Sequence, residues 1–408
     1  KVVEGDRLKI VHNGEVAADL PVMALTDEAP KYERPMAESL RHGDTETARR
    51  GDGKLPASPS QDITASLKKL LASPNIASKH WVYEQYDTMV RTNTAILPGA
   101  DAAVIRVKET RRAIAMCLDG PGRLVAVDAL EGAKHAVAEA ARNVACVGAR
   151  PIAVTNCLNF ASPERPEVMR SFSDVIDGMA EACEAFETPV VSGNVSFYNE
   201  TDGKGILPTP TIGMVGLIED IRKVITQGFK NDGDTIALLG STGDDLSPSE
   251  FAAAIAGLST ADMIASGRLP QIDLAQERRL QDALIAMADE MLLASAHDCS
   301  EGGLAVAIAE SCFSSLGREA LGAEISLETN GLSAEATLFA ESPTRAVISF
   351  APENLDRVRE LAAGLPFAVV GTVRDDVLNI AIDGQTAVSS PVAELEANWE
   401  SALENKLS

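Results

Sequence analysis

Apolar and polar positions along the chain switch between a helical and a strand-like period, and the switches outline its elements. Ile63, Leu67, Leu70 and Leu71 share one face of a predicted helix that stops at the turn Ser73-Pro74-Asn75. Residues 102–106 and 113–118 read as strands, and Arg123 to Val127 is expected to pair back after the turn Asp119-Gly120-Pro121-Gly122. An alanine-rich helix is predicted over 129–147 and an apolar strand from Ile152 to Thr155. The clearest helical stripe runs from Pro166 to Phe186, through Val168, Phe172, Val175, Ile176, Met179 and Cys183. It leads into a strand from Pro189 to Ser192, and another at Ile212 to Gly216 completes an α+β domain of about 150 residues. A second unit begins near Asp232, with a strand from Thr235 to Leu239 and a helix around Gln276 to Leu293. A glycine-rich turn at Ser300 to Gly303 opens another helix, followed by a strand at Ala346 to Phe350, a helix over Pro352 to Ala363 and strands reaching Ile382.

Residues 41–60 have no apolar period and are rich in Gly, Pro, Ser and charge, which predicts a linker. The segment before it has a counterpart near the other end. Val3 to Leu25 aligns without a gap on Val373 to Leu395 at a constant offset of 370, with nine identities in 23 positions. Both copies alternate into a turn, at Asn13-Gly14 and Asp383-Gly384, as hairpins do. An isolated hairpin is marginal in water and needs a sheet to join. Each copy is therefore expected to close a repeat unit, and the chain, which opens at Lys1, is expected to be the C-terminal part of a tandem duplication. The expected boundaries are 1–30 for closing strands of a preceding repeat, 31–62 for the linker, 63–225 and 226–395 for two domains, and 396–408 for a tail.

Composition narrows the chemistry. Sixty acidic against 36 basic residues give a net charge of −24, which repels nucleic acid and anionic membranes. No apolar run approaches the roughly 20 residues of a membrane span, and residues 1–30 lack the pattern of a secretory signal. A soluble, cytoplasmic protein is expected. The six cysteines form no C-x-x-C pair, and the five histidines show no metal-ligand spacing, so neither a disulfide framework nor a zinc site is indicated. A P-loop and a dinucleotide fingerprint are likewise missing. What remains are small polar residues at strand ends, Thr155-Asn156-Cys157 and Ser192-Gly193-Asn194-Val195-Ser196, and the carboxylates Asp101, Asp119, Asp128 and Asp298. Oxygen ligands of this kind suit Mg²⁺ and a phosphate substrate, and equally suit ordinary turns with solvated acids.

Several longer strings carry a resemblance. Ser73 to Lys79 (SPNIASK), Tyr83 to Val90 (YEQYDTMV), Glu131 to Cys146 (EGAKHAVAEAARNVAC), Val154 to Phe160 (VTNCLNF), Ser192 to Glu200 (SGNVSFYNE) and His297 to Glu310 (HDCSEGGLAVAIAE) resemble the C-terminal half of the synthetase subunit of phosphoribosylformylglycinamidine synthase. The wider aminoimidazole ribonucleotide synthetase-like superfamily shares the two-domain unit but not the YEQYD and SGNVSFYNE strings. The resemblance implies an α+β fold, with an N-terminal α/β domain that forms a pseudodimer barrel and a C-terminal α/β sandwich. It also implies a ligase of purine biosynthesis that uses ATP and Mg²⁺ to convert formylglycinamide ribonucleotide and glutamine-derived ammonia to the amidine through an iminophosphate.

Carried over by position, the resemblance makes Gly193 a backbone contact to ATP, Asn194 a Mg²⁺ ligand and Ser196 a substrate contact, all on one loop. Asn156 matches a nucleotide-contacting position at which several relatives have Asp. Asp298 and Glu341-Ser342 mark a pseudo-equivalent second site, where Pro343 replaces a common Gln, and Asp298 is alternatively read as a cap of the helix near Ser300. Asp119 and His135 are expected to face solvent, and Cys157 and Cys299 to act as small buried hydrophobes. The implied partners are the N-terminal half of the same enzyme, a glutaminase subunit and a small accessory subunit, with a homodimer of this half also expected. The chain alone is expected to be inactive, because the family's catalytic histidine and main metal carboxylates belong to the first half. The alternative is a non-catalytic scaffold half that binds nucleotide and partner subunits.

Overall fold

The computed structural model describes residues 4–38, 62–266, 269–315 and 317–408, so most of the predicted linker lies outside the described residues. The chain enters through the hairpin β1 (Arg7–His12) and β2 (Glu15–Pro21), and residues 34–37 lie against the start of a later helix, Ala37 N–H donating to Pro166 O at 3.0 Å. Two short helices follow, α1 (Ile63–Leu71) and α2 (His80–Tyr83).

A first layered unit comprises β3 (Thr94–Ile96), β4 (Ala103–Arg106), β5 (Ala113–Asp119), α3 (Gly122–Val127), α4 (Ala129–Cys146), β6 (Arg150–Asn159), α5 (Pro166–Phe186), β7 (Val190–Ser196), the two-residue β8 (Glu200–Thr201) and β9 (Lys204–Gly205), and β10 (Thr209–Ile218). Six of these strands form one sheet in the order β3-β4-β5-β10-β6-β7, antiparallel except for the last pair. The right-hand pair is parallel because α5 carries the chain back between β6 and β7. Asp128 caps α4 by accepting from Glu131 N–H at 2.9 Å, and the alanine face of α4 lets α5 and the sheet approach closely. Val137, Ala141, Val154, Val175, Met179, Phe186, Ile212 and Met214 form the core between helices and sheet. The opposite face of the sheet is open and carries Met116 and Leu118, the latter 73% exposed. Arg123 to Val127, expected as a strand, is helical: it buries Val125 against α4, a tertiary contact that outweighs the strand preference of its valines.

The second unit contains β11 (Thr235–Leu239), α6 (Glu250–Ala254), α7 (Thr260–Ser266), α8 (Leu274–Asp289), β12 (Leu293–Asp298), α9 (Gly303–Cys312), β13 (Ala323–Leu327), α10 (Ala334–Phe339), β14 (Ala346–Phe350), α11 (Leu355–Leu361), β15 (Phe367–Val373), β16 (Val377–Ile382), β17 (Gln385–Pro391) and α12 (Val392–Leu407). Its seven-stranded sheet runs β12-β14-β11-β15-β13-β16-β17. Ile236 and Leu238 face the core under α9 and α10, whereas Ala237 and Leu239 face α8 and α11. Coverage on both faces explains why β11 and β14 are mostly apolar rather than alternating. The helix α1, which chain order places with the first domain, buries Leu67, Leu70 and Leu71 in the core of the second. The expected tail from 396 is the body of α12, where Trp399 Nε1 donates to Ile76 O at 3.0 Å. Among the described residues no helix is long and apolar enough to cross a membrane.

The two hairpins repeat in detail. Arg7 pairs with Pro21 and Val377 with Pro391, and the register slips between Ile10 and Val11 in one and between Ile380 and Ala381 in the other. Both turns place Asn13-Gly14 and Asp383-Gly384 at positive φ, the geometry a two-residue hairpin loop requires. Their surroundings differ. Leu378, Ile380 and Leu395 are fully buried, whereas Leu8, Ile10 and Leu25 are 45%, 51% and 50% exposed.

Candidate functional site

The strand β7 carries three of the four expected site residues, and the fourth faces it from β6. Asn156 pairs with Gly193, Cys157 with Asn194 and Asn159 with Ser196. The expected loop is thus a strand, extended to Ser196 by ladder bonds to β6 that the sequence pattern did not reveal. β7 is also the last strand of its sheet, so one of its edges has no strand partner among the described residues.

Side chains alternate along a strand, which divides the four residues between two faces. Asn194 and Ser196 share the open face with Cys157 and Asn159. Asn156 and residue 193 lie on the other, and a Cβ on Gly193 would stand 2.1 Å from Asn156 Oδ1. Glycine is needed here first to admit the Asn156 amide. Ser196 is held by Asn199, whose Nδ2 donates to Ser196 O at 2.8 Å and to Phe160 O at 3.1 Å. The Ser196 hydroxyl donates in turn to Asn199 Oδ1 at 3.3 Å. Asn194 is exposed and presents one neutral hard oxygen. That donor fits a single vertex of a Mg²⁺ ion that keeps waters and phosphate oxygens for the rest. No three His, Cys, Asp or Glu among the described residues form a metal-holding group.

Of the second group of expected residues, Glu341 and Ser342 line a cleft of about 290 Å³ between the two units, bounded by Gly120–Leu124, α4, Cys299–Glu301 and Glu341–Pro343. Glu341 Oε1 accepts from the N–H groups of Glu250 and Gly302, both at 2.8 Å, so its carboxylate occupies two helix starts from within the chain. Burial nevertheless pushes the Glu341 carboxyl up to about 8. Glu250 itself accepts from Ser73 Oγ, from Asn75 Nδ2 at 2.8 Å and from Arg123 Nη1 at 3.1 Å. Ser342 Oγ donates to Asp245 at 2.6 Å.

Asp298 is not a helix cap. Gly302 is the N-cap of α9, and Asp298 ends β12 paired with the buried Arg142, whose Nε donates to it at 3.2 Å while Nη1 donates to Glu277 at 2.9 Å. Asp119 and His135 do not face solvent either. Asp119 accepts from Asn143 Nδ2 at 3.2 Å, and burial together with the Asp298 charge raises it to about 7. His135 is buried and bonded to Pro270 O at 2.7 Å. Desolvation in the cleft, followed by the Glu301 charge, also raises the carboxyl of Glu139 beside them. Sequence reasoning missed Glu139, Asn143, Glu301 and Glu250. The first two sit four residues apart on α4, a spacing that puts them on one face and that could have flagged them. Cys299 is buried and its thiol is raised by that burial, the state of an inert packing residue.

Comparison with known proteins agrees with this architecture. Residues 99–218 match the model for the N-terminal domain of AIR synthase related proteins, and residues 231–383 that for the C-terminal domain. The phosphoribosylformylglycinamidine synthase subunit PurL of Caldanaerobacter subterraneus subsp. tengcongensis is 42% identical over 405 residues, covering 99% of this chain and 53% of the relative. The subunit of the same name from Anaeromyxobacter sp. strain Fw109-5 is 45% identical over 404 residues, covering 96% and 51%. The chain thus spans about half the length of the curated relatives it matches. Among solved structures, Thermotoga maritima PurL complexed with FGAR superposes with a TM-score of 0.67 at 20% identity, over 82% of this chain and 53% of that one. The complex of the same protein with ATP gives 0.63 at 19% identity, over 82% and 52%, a likeness of fold. With both domain types matched in order, the chain belongs to the AIR synthase related family.

Proposed function

We propose that this chain is the nucleotide- and Mg²⁺-contacting half of an ATP-dependent ligase that converts formylglycinamide ribonucleotide to the amidine. The observation that carries this reading is the identity of 42% over 99% of the chain to a phosphoribosylformylglycinamidine synthase subunit. In the reaction ATP phosphorylates the amide oxygen of the substrate, and ammonia displaces phosphate from the resulting iminophosphate to leave the amidine, ADP and phosphate. Mg²⁺, when bound, neutralises the phosphate oxygens between which the phosphoryl group passes. The chain's own part is to position. The exposed edge of β7 offers backbone groups to a phosphate, Asn194 supplies a neutral oxygen beside it, and the Ser196 hydroxyl, oriented by Asn199, can donate to the substrate's own polar groups. The Asn156 amide fills the space beside residue 193 that a side chain there would need.

The missing contributions are assigned to a preceding half. Its sheet would take up the exposed hairpin β1–β2, and its own barrel strands would cover the open face with Met116 and Leu118. The same exposed surfaces favour a second role for this half, a scaffold for the first half and for glutaminase and small accessory subunits; a Thermotoga maritima structure bears the name PurLQS. Turnover with ATP, substrate and ammonia is measured on residues 1–408 and on a chain extended upstream. Activity is expected only in the longer chain. Full activity in the 408-residue chain would remove the division of labour, and an inactive longer chain would remove the ligase assignment.

A further inference from the structure

A second cavity, of about 220 Å³, lies where the end of β3, the segment joining the two units, α2, the end of α9 and α12 meet. Its walls are aromatic. Tyr83, Phe313 and Trp399 line it, with Phe313 and Trp399 ring centroids 5.2 Å apart and the indole fixed by its bond to Ile76 O. Beside hydroxyl, amide and imidazole groups it presents three carboxylates. Glu310, Glu396 and Glu400 reach it, and no Lys or Arg lines it among the described residues. Gln227 is also in the wall, and its Oε1 is buried with no hydrogen-bond partner.

Two of the carboxylates are already partly committed. Glu310 bonds His297 Nε2 at 3.1 Å, and Glu396 accepts from Ser314 N–H at 2.8 Å. The one ion pair of Glu400 among the described residues is with His80 Nδ1 at 3.9 Å, and its side chain is 60% exposed at the mouth. An aromatic-walled space with an excess of acceptors takes a donor that is positively charged and carries an apolar stem, because rings attract a cation over their faces and methylenes fill the space between them. The volume is below the ~300–1,000 Å³ of a drug-sized ligand site and suits a group the size of one side chain.

We propose that this cavity binds a small organic cation, an ammonium or guanidinium on an aliphatic stem. Both units line it, so an occupant would brace them against each other. The ligand could be free or carried on a peptide, and the two sources share this chemistry.

The test is calorimetric titration of the 408-residue chain with butylammonium and agmatine, against 1-butanol as the neutral isostere and NaCl at matched ionic strength. Saturable binding of the cations and none of butanol is expected. Glu400→Gln, an exposed change that leaves the packing intact, should weaken binding roughly two- to fivefold. Glu400→Lys, which places an ammonium at the mouth, should weaken it at least tenfold. N-acetyl-lysine methylamide identifies the source: binding tighter than butylammonium indicates a peptide-borne side chain, and weaker binding a free amine. Cations that bind no better than butanol, or binding indifferent to both Glu400 variants, would overturn the proposal.

Discussion

Asn156 and Gly193 stand opposite each other in the parallel pair β6–β7, and the amide oxygen of Asn156 occupies the place a Cβ on residue 193 would need, 2.1 Å away. Two residues that the sequence offered separately as nucleotide contacts are thus one packing unit. Gly193→Ala must push the Asn156 amide aside, and overpacking of this kind costs about 1–3 kcal/mol. Urea unfolding of Gly193→Ala, Asn156→Ala and the double variant should show the double variant more stable than the sum of the single effects. Strict additivity would mean that the amide is not the obstacle.

Asn194 lies on the same strand with no such burden. Asn194→Ala should leave the unfolding midpoint within the range of surface changes, about 0.5 kcal/mol. In the upstream-extended chain it should raise the Mg²⁺ concentration needed for half-maximal turnover, and an unchanged requirement would take Asn194 out of the metal site.

The repeated hairpins offer a matched pair of substitutions. Ile380 is fully buried and Ile10 is 51% exposed, although both occupy the residue before the same register slip. Ile380→Thr loses apolar contact and buries a hydroxyl, at about 2–4 kcal/mol. Ile10→Thr in the 408-residue chain should change stability by less than about 0.5 kcal/mol. If the preceding repeat takes up the hairpin, the cost of Ile10→Thr in the extended chain should rise toward that of Ile380→Thr.

Asp119 gives a pH dependence with a definite sign. Its carboxyl is raised by burial, and by Asp298, from 3.8 to about 7. A raised acid contributes stability that is complete below its unfolded value and lost as the pH climbs through its folded value. Thermal melts should therefore show a smaller gap between wild type and Asp119→Asn at pH 5, where the folded carboxyl is still protonated, than at pH 8. At pH 8 Asp119→Asn should be the more stable, by about 1–3 kcal/mol, since Asn143 can still donate to the amide oxygen. Equal pH slopes in the two proteins would show that Asp119 is ionised throughout.

Much of the fold could be read along the chain. The helix Pro166–Phe186 and the strands Thr235–Leu239 and Ala346–Phe350 have the bounds that their periods gave, because each buries residues in a regular local pattern. Arg123 to Val127 did not, since its helix depends on α4 for a partner. The strand β7 was cut short at Ser192 for a similar reason: Gly193 and Asn194 are poor strand formers, and the ladder from β6 holds them extended. At the site, the sequence strings led to Asn194, Ser196 and the Glu341 cleft. They did not show that Asp298 answers Arg142 or that Glu341 spans the starts of two helices.

The sequence by itself determined the period of each long element, the repeat at an offset of 370 and the residues in the site strings, because these depend on spacing and identity alone. Only the tertiary structure decided on which face of β7 each candidate lies, which acids are buried together, and that α1 serves the core of the second unit. Burial, desolvation and register are properties of what packs against a residue. Leu8 and Leu378, or Ile10 and Ile380, are the same residue in the same local pattern, and only the surrounding sheet leaves the first of each pair exposed and makes the second part of a core.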